Sequence, residues 1–156
     1  MGAKRLPYKE GSVFFVPLRS GGHGRGVIAR SGPRGKILLG YFFGPKIRDE
    51  RVSLDGLLPR DAIVSLRFGD LGLLRGDWKL IGEIAPWSRA DWPIPEFLWS
   101  DALNVIPDQV VVYTDEDFDK GGIGRQERRN FILPGLQRDG LSGSGAVEIK
   151  LSRLLG

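Results

Sequence analysis

Residues 11–43 read GSVFFVPLRSGGHGRGVIARSGPRGKILLGYFF, and this stretch determines the fold class. It contains three runs of β-forming or apolar residues separated by glycine-rich turns, and the runs are 12–16, 25–30 and 37–43. The first two runs predict a hairpin with a loop of several residues. The third run is almost continuously apolar, which predicts a strand that is buried on both faces or nearly so. Together they predict a bent meander, the usual beginning of a small barrel or a strongly twisted sheet.

The rest of the chain adds short elements to this meander. Further strands are expected at 62–68, 79–84 and 109–114, a helical turn at 70–74, and a short strand or extended segment at 128–133. Residues 87–99 contain Pro93 and Pro95, which exclude a regular helix and disfavour a central strand. We expect much of the core to come from Val13, Phe15, Val27, Ile37, Leu39, Phe43, Val64, Leu66, Val110 and Val112.

The C-terminal segment has a different pattern. Residues 143–155 contain no proline, and Val147, Leu151 and Leu154 lie on one face of a helix, with Ser144 as a reasonable N-cap. The alternation of Val147, Ile149 and Leu151 would suit a strand instead, but the two leucines at the end extend the helical pattern. We therefore predict a β-rich α+β fold, with a curved antiparallel sheet or partial barrel and a C-terminal helix packed on it.

Composition excludes several classes of enzyme. The 156 residues fit a single domain, 1–156, with no cysteine and one histidine, His23. Disulfides, thiolate metal sites, cysteine nucleophiles and multi-histidine metal sites are therefore excluded. His23 stands between glycines in a predicted turn and has no acidic residue close in sequence to orient it. We predict a protein that is not an enzyme and that needs no cofactor or metal. No apolar stretch has the length of a signal peptide or membrane span, so the expected location is the cytoplasm.

Charge suggests a second kind of function. The net charge is +4, and residues 1–78 carry 14 basic against 7 acidic side chains. Basic protein surfaces bind nucleic acid, and 16 of the 23 cations are arginines. A nucleic-acid-binding module built on a small barrel is therefore an alternative, although the cations are dispersed along the sequence rather than clustered.

A run of acidic residues directly follows the strand predicted at 109–114. Four carboxylates fall within five residues, namely Asp115, Glu116, Asp117 and Asp119. An EF-hand loop would need glycine and glutamate where Lys120 and Gln126 stand, so no calcium site is expected. Like charges at this density repel one another unless a cation or a basic partner meets them. The run is either a solvated loop or a contact surface for a basic partner, with Phe118 anchoring it inward.

Tryptophans are concentrated in one part of the chain. Trp78, Trp87, Trp92 and Trp99 lie within 22 residues, and large rings dominate both cores and interfaces. We expect Trp78 and Trp99 to cover the sheet. Trp87 and Trp92 join the four carboxylates as candidate partner-binding residues.

Three sequence motifs in order resemble a known family. They are GSVFFVPL at 11–18 with GHGRGVI at 22–28, the apolar YFF at 41–43, and GDWKLIG at 76–82. In order and spacing they resemble the bacterial Immunity protein 26 family of polymorphic toxin systems, over about residues 10–115. The resemblance implies a small cytoplasmic antidote that binds and blocks one toxin domain without catalysis. It implies no particular toxin chemistry and no set of functional residues.

Overall fold

The predicted meander forms the centre of a six-stranded open sheet. The computed structural model describes residues 5–49, 51–121 and 123–156. Within these residues the strands of this sheet are β1 (Ser12–Pro17), β2 (His23–Ser31), β3 (Ile37–Ile47), β4 (Val64–Gly69), β5 (Leu80–Glu83) and β9 (Leu141–Ser142). The spatial order is β5-β1-β2-β3-β4-β9. All neighbouring strands are antiparallel except β4 and β9, which are parallel. The β-rich class is confirmed, and the sheet does not close into a barrel.

Among the described residues, a smaller antiparallel sheet, three α-helices and two short 3-10 helices, Pro59–Asp61 and Arg89–Asp91, complete the fold. The sheet has the order β6-β7-β8 and consists of β6 (Phe97–Trp99), β7 (Gln109–Val112) and β8 (Arg125–Glu127). The α-helices are α1 (Leu71–Leu74), α2 (Asp115–Lys120) and α3 (Ser144–Leu155). The C-terminal helix is confirmed, with Gly143 rather than Ser144 at its N-cap. Residues 128–133, where a short strand or an extended segment was expected, form no strand, and β8 ends just before them at Glu127.

The acidic run is a helix, not the loop that we expected. The hydroxyl of Thr114 accepts a hydrogen bond from the backbone N–H of Asp117 at 3.1 Å. The carboxylate of Asp117 accepts one from the N–H of Thr114 at 2.8 Å, which completes a capping box. Gly121 ends the helix with a φ of 65°, in the left-handed region that favours glycine. These local bonds explain why five polar or acidic residues around Phe118 become helical.

The central sheet is covered on both faces. Alternate residues of β1 point in opposite directions, so Val13 and Phe14 belong to different hydrophobic clusters. The cluster around Phe14 packs beneath α1 and α3 and contains Val16, Ile28, Phe42, Phe68, Trp78, Val147 and Leu151. The cluster around Val13 packs beneath the small sheet and α2 and contains Val27, Leu39, Phe43, Trp92, Phe97, Val111 and Phe118. This two-sided burial agrees with the continuous apolar pattern of the third run.

Trp78 connects the cluster around Phe14 to the C-terminal helix α3. Its ring stacks on Phe14 with centroids 5.5 Å apart, and its indole N–H donates to the carboxylate of Glu148 on α3 at 2.9 Å. A Cβ at Gly72 would come within 2.8 Å of the Trp78 ring, so glycine is needed at that close approach. None of the helices in the described ranges has the length and apolarity needed to cross a bilayer.

Candidate partner-binding surface

The buried guanidinium of Arg30 holds α2 against the central sheet. Its Nε donates to Oδ1 of Asp115 at 2.6 Å. Its Nη1 donates to the carbonyls of Ala29 and Trp92, at 2.6 and 2.9 Å. Its Nη2 donates to the carbonyl of Arg89 at 3.2 Å. One side chain of β2 therefore connects the sheet, the helix and the proline-rich segment before β6.

A second arginine, Arg89, extends this network toward solvent. Its Nη2 lies 2.7 Å from Oε2 of Glu10 and 2.8 Å from Oδ1 of Asp119. These two carboxylates raise the pKa of the Arg89 guanidinium, Glu10 having the larger effect. In return, the hydrogen bond from Arg89 lowers the pKa of Asp119. The charge-assisted hydrogen bond between Arg89 and Asp119 holds the outer side of α2 in place.

The four predicted carboxylates are thus largely compensated within the chain. Asp115 and Asp119 are bound by the two arginines, and Asp117 closes the N-terminus of the helix. Glu116 forms an ion pair with Lys120 one turn later, at 2.6 Å, and its side chain remains 71% exposed. The sequence left two alternatives, a solvated loop or a contact surface for a basic partner, and neither placed the cations within the chain. Arg30 was missed because Arg30 and Asp115 are 85 positions apart.

The two tryptophans of the predicted surface have different positions. Trp92 is only 4% exposed and packs edge-on against Tyr41, with centroids 5.1 Å apart. Trp87 is half-buried, stacks on Trp92 at 5.6 Å and donates its indole N–H to Glu10 at 3.4 Å. Only Trp87 therefore adds appreciable ring surface beside α2, and Trp92 supports it from the core.

A second exposed surface was not recognised in the sequence. In the loop between β6 and β7, the carboxylate of Asp101 accepts backbone hydrogen bonds from Val105 and Ile106, at 3.0 and 3.1 Å. These bonds lower the pKa of Asp101. The loop they hold presents Leu103 and Val105, which are 81% and 77% exposed. The signal in the sequence was an aspartate followed by aliphatic residues between two strands. These residues have neither the periodicity of a helix nor that of a strand.

Comparison with known proteins identifies the family to which this chain belongs. The family model described as Immunity protein 26 matches residues 9–106, which is more than half of the chain. The chain belongs to the Immunity protein 26 family. It is therefore an immunity protein of a toxin system. No curated protein and no solved structure matched it.

The residues matched by the family model contain only part of the arginine network of this immunity protein. Glu10, Arg30 and Arg89 lie within the matched residues, and the acids of α2 lie C-terminal to them. The segment after residue 106 supplies elements to both faces of the central sheet, with α2 and β7 on one face and α3 on the other. The C-terminal third is therefore integral to the fold that the family segment begins.

No metal centre is formed by the part of the chain that the structure describes. Within it, no group of three or more histidine, aspartate or glutamate side chains is arranged to hold an ion. His23 packs against Phe15 with ring centroids 4.8 Å apart, and its buried Nδ1 has no hydrogen-bond partner among the described residues. A histidine acting as a general base normally has an orienting partner at that position.

Proposed function

We propose that this immunity protein neutralises a cognate polymorphic-toxin domain in the bacterial cytoplasm by binding it directly, without catalysis. The family match over residues 9–106 is the observation that carries this proposal. The surroundings of His23 support a non-catalytic role, since its buried Nδ1 has no orienting hydrogen-bond partner among the described residues. Family membership also favours toxin binding over the nucleic-acid-binding alternative.

The contact surface that we propose is the outer side of α2 together with Trp87. Arg30 and Arg89 hold the helix in place before a partner arrives, so little conformational entropy is lost on binding. The side chains of Asp115, Glu116 and Asp119 are each at least half exposed. These carboxylates remain accessible although they are paired within the chain, and exposed carboxylates fit a basic toxin and would accelerate association with it.

Glu116→Lys is expected to slow association with the cognate toxin about tenfold at low salt, because charge steering acts mainly on the on-rate. The on-rate of this variant should also depend less steeply on salt concentration. Glu116 is the informative position because its ion pair is with Lys120 on the same helix, so the bonds from Arg30 and Arg89 remain. Binding kinetics measured across a salt series provide the readout.

Asp61→Lys is the matched control. It changes the net charge by the same amount, and Asp61 is an exposed residue before the start of β4. If Glu116→Lys binds and protects cells as well as Asp61→Lys does, α2 is not the contact surface. The loop that presents Leu103 and Val105 would then be the next surface to test, with Leu103→Asp.

A further inference from the structure

A cavity of about 350 Å³ opens between the turn before β3 and the helix α2. Its volume falls within the range of about 300–1,000 Å³ that is usual for small-molecule sites. Pro33, Ile37 and Phe118 supply an apolar wall. The charged residues of the lining are the basic Arg34, Lys36, Arg67 and Lys120 and one acid, Asp117. The lining therefore combines an apolar body with an excess of positive charge.

The cations of this cavity are incompletely compensated. Arg34 and Lys36 form no ion pair with any residue in the described ranges. Arg67 stacks over the ring of Tyr113 at 4.5 Å and donates from Nη2 to Asp139 at 3.2 Å. Arg67 is therefore held by Tyr113 and Asp139, and Arg34 and Lys36 carry the uncompensated positive charge.

The basic wall is held in place without a ligand. The carboxylate of Asp70 accepts hydrogen bonds from the backbone N–H of Lys36 at 2.9 Å and from the hydroxyl of Tyr8 at 2.7 Å. Gly35 has a φ of 72°, and a Cβ there would lie 2.2 Å from the Tyr8 oxygen. The turn is therefore packed tightly against its support, and a ligand would not have to order it.

We propose that this cavity binds a small organic anion in which a phosphate or carboxylate group is joined to a flat apolar body. The anionic group meets Arg34 and Lys36 in the turn before β3. A bare inorganic ion would leave the apolar wall around Phe118 uncovered. A nucleic-acid strand is disfavoured because its further phosphates would approach the exposed carboxylate of Glu116 on the adjoining helix.

Calorimetric titration in a phosphate-free buffer tests the proposal. The probes are adenosine 5′-monophosphate, benzoate, adenosine and inorganic phosphate, and the two organic anions distinguish a phosphate from a carboxylate source. We expect at least one organic anion to bind at least tenfold more tightly than both adenosine and inorganic phosphate. Arg34→Gln combined with Lys36→Gln should weaken that binding by tenfold or more, since hydrogen bonds to charged groups are the strong ones.

Arg75→Gln combined with Lys79→Gln is the control for lost charge, because both residues are exposed and lie outside the cavity. The proposal is wrong if no organic anion binds at millimolar concentration, or if the two double variants bind equally well. It is also wrong if a 5′-phosphorylated oligonucleotide binds more tightly than the mononucleotide and loses the same affinity in the cavity variant. No toxin is present, so failure here leaves the proposed function untouched.

Discussion

Phe14→Ala is expected to lower the free energy of unfolding by about 3–5 kcal/mol, the usual cost of truncating a buried phenylalanine. Phe14 is fully buried in the centre of β1. Its ring contacts three other rings, with centroid distances of 6.0 Å to Phe42, 5.9 Å to Phe68 and 5.5 Å to Trp78. The variant would leave a cavity that this rigid group of rings cannot fill. Urea denaturation followed by tryptophan fluorescence measures the change.

Phe131→Ala makes the same chemical change at a position that is 73% exposed. It should alter the free energy of unfolding by no more than about 0.5 kcal/mol. Equal destabilisation by the two substitutions would contradict the burial of Phe14 in the cluster beneath α1 and α3.

Arg30→Met should lower the free energy of unfolding by about 2–3 kcal/mol, because buried acceptors left without donors are costly. The carbonyls of Ala29 and Trp92 would each lose a donor, and Asp115 would lose its closest cation. Asp115 is half exposed and can be hydrated, which keeps the loss below that of a fully buried ion pair. Hydrogen exchange should show the amide of Phe118 becoming less protected as α2 loosens.

Arg60→Met removes the same charge from an exposed residue and should change stability by less than about 0.5 kcal/mol. The structural role assigned to Arg30 fails if the two variants have the same denaturation midpoint, or if α2 keeps its protection in Arg30→Met. Either result would mean that Phe118 alone holds the helix.

The central meander could be predicted because its determinants are local. Glycine-rich turns separated the first three strands, and the apolar run at 37–43 indicated burial on both faces. The helical spacing of Val147 and Leu151 likewise predicted α3, where both side chains are buried. Of the ten expected core residues, Ile37 is 36% exposed because it begins β3 directly after a surface turn, and Val64 and Val112 are only half-buried.

The arrangement around α2 could not be predicted because it depends on distant partners. The acids at 115–119 looked like a repulsive loop, and the cations that relieve them come from β2 and from the segment before β6. Local pattern also gave no sign that Trp92 lies in the core and Trp87 at its edge. The two-residue strand β9 is too short to leave a periodic signal, and its parallel pairing depends on where the chain returns.

The proposed neutralisation by direct, non-catalytic binding is tested by titrating the purified protein against the activity of its cognate toxin. We predict that inhibition increases linearly with added protein until one equivalent is present, and that an intact complex of the two chains can then be isolated. Complete inhibition by a small fraction of one equivalent, with a covalently altered toxin as the product, would show instead that the protein acts catalytically and would rule out stoichiometric binding. Full toxin activity in the presence of excess protein would contradict the proposed neutralisation.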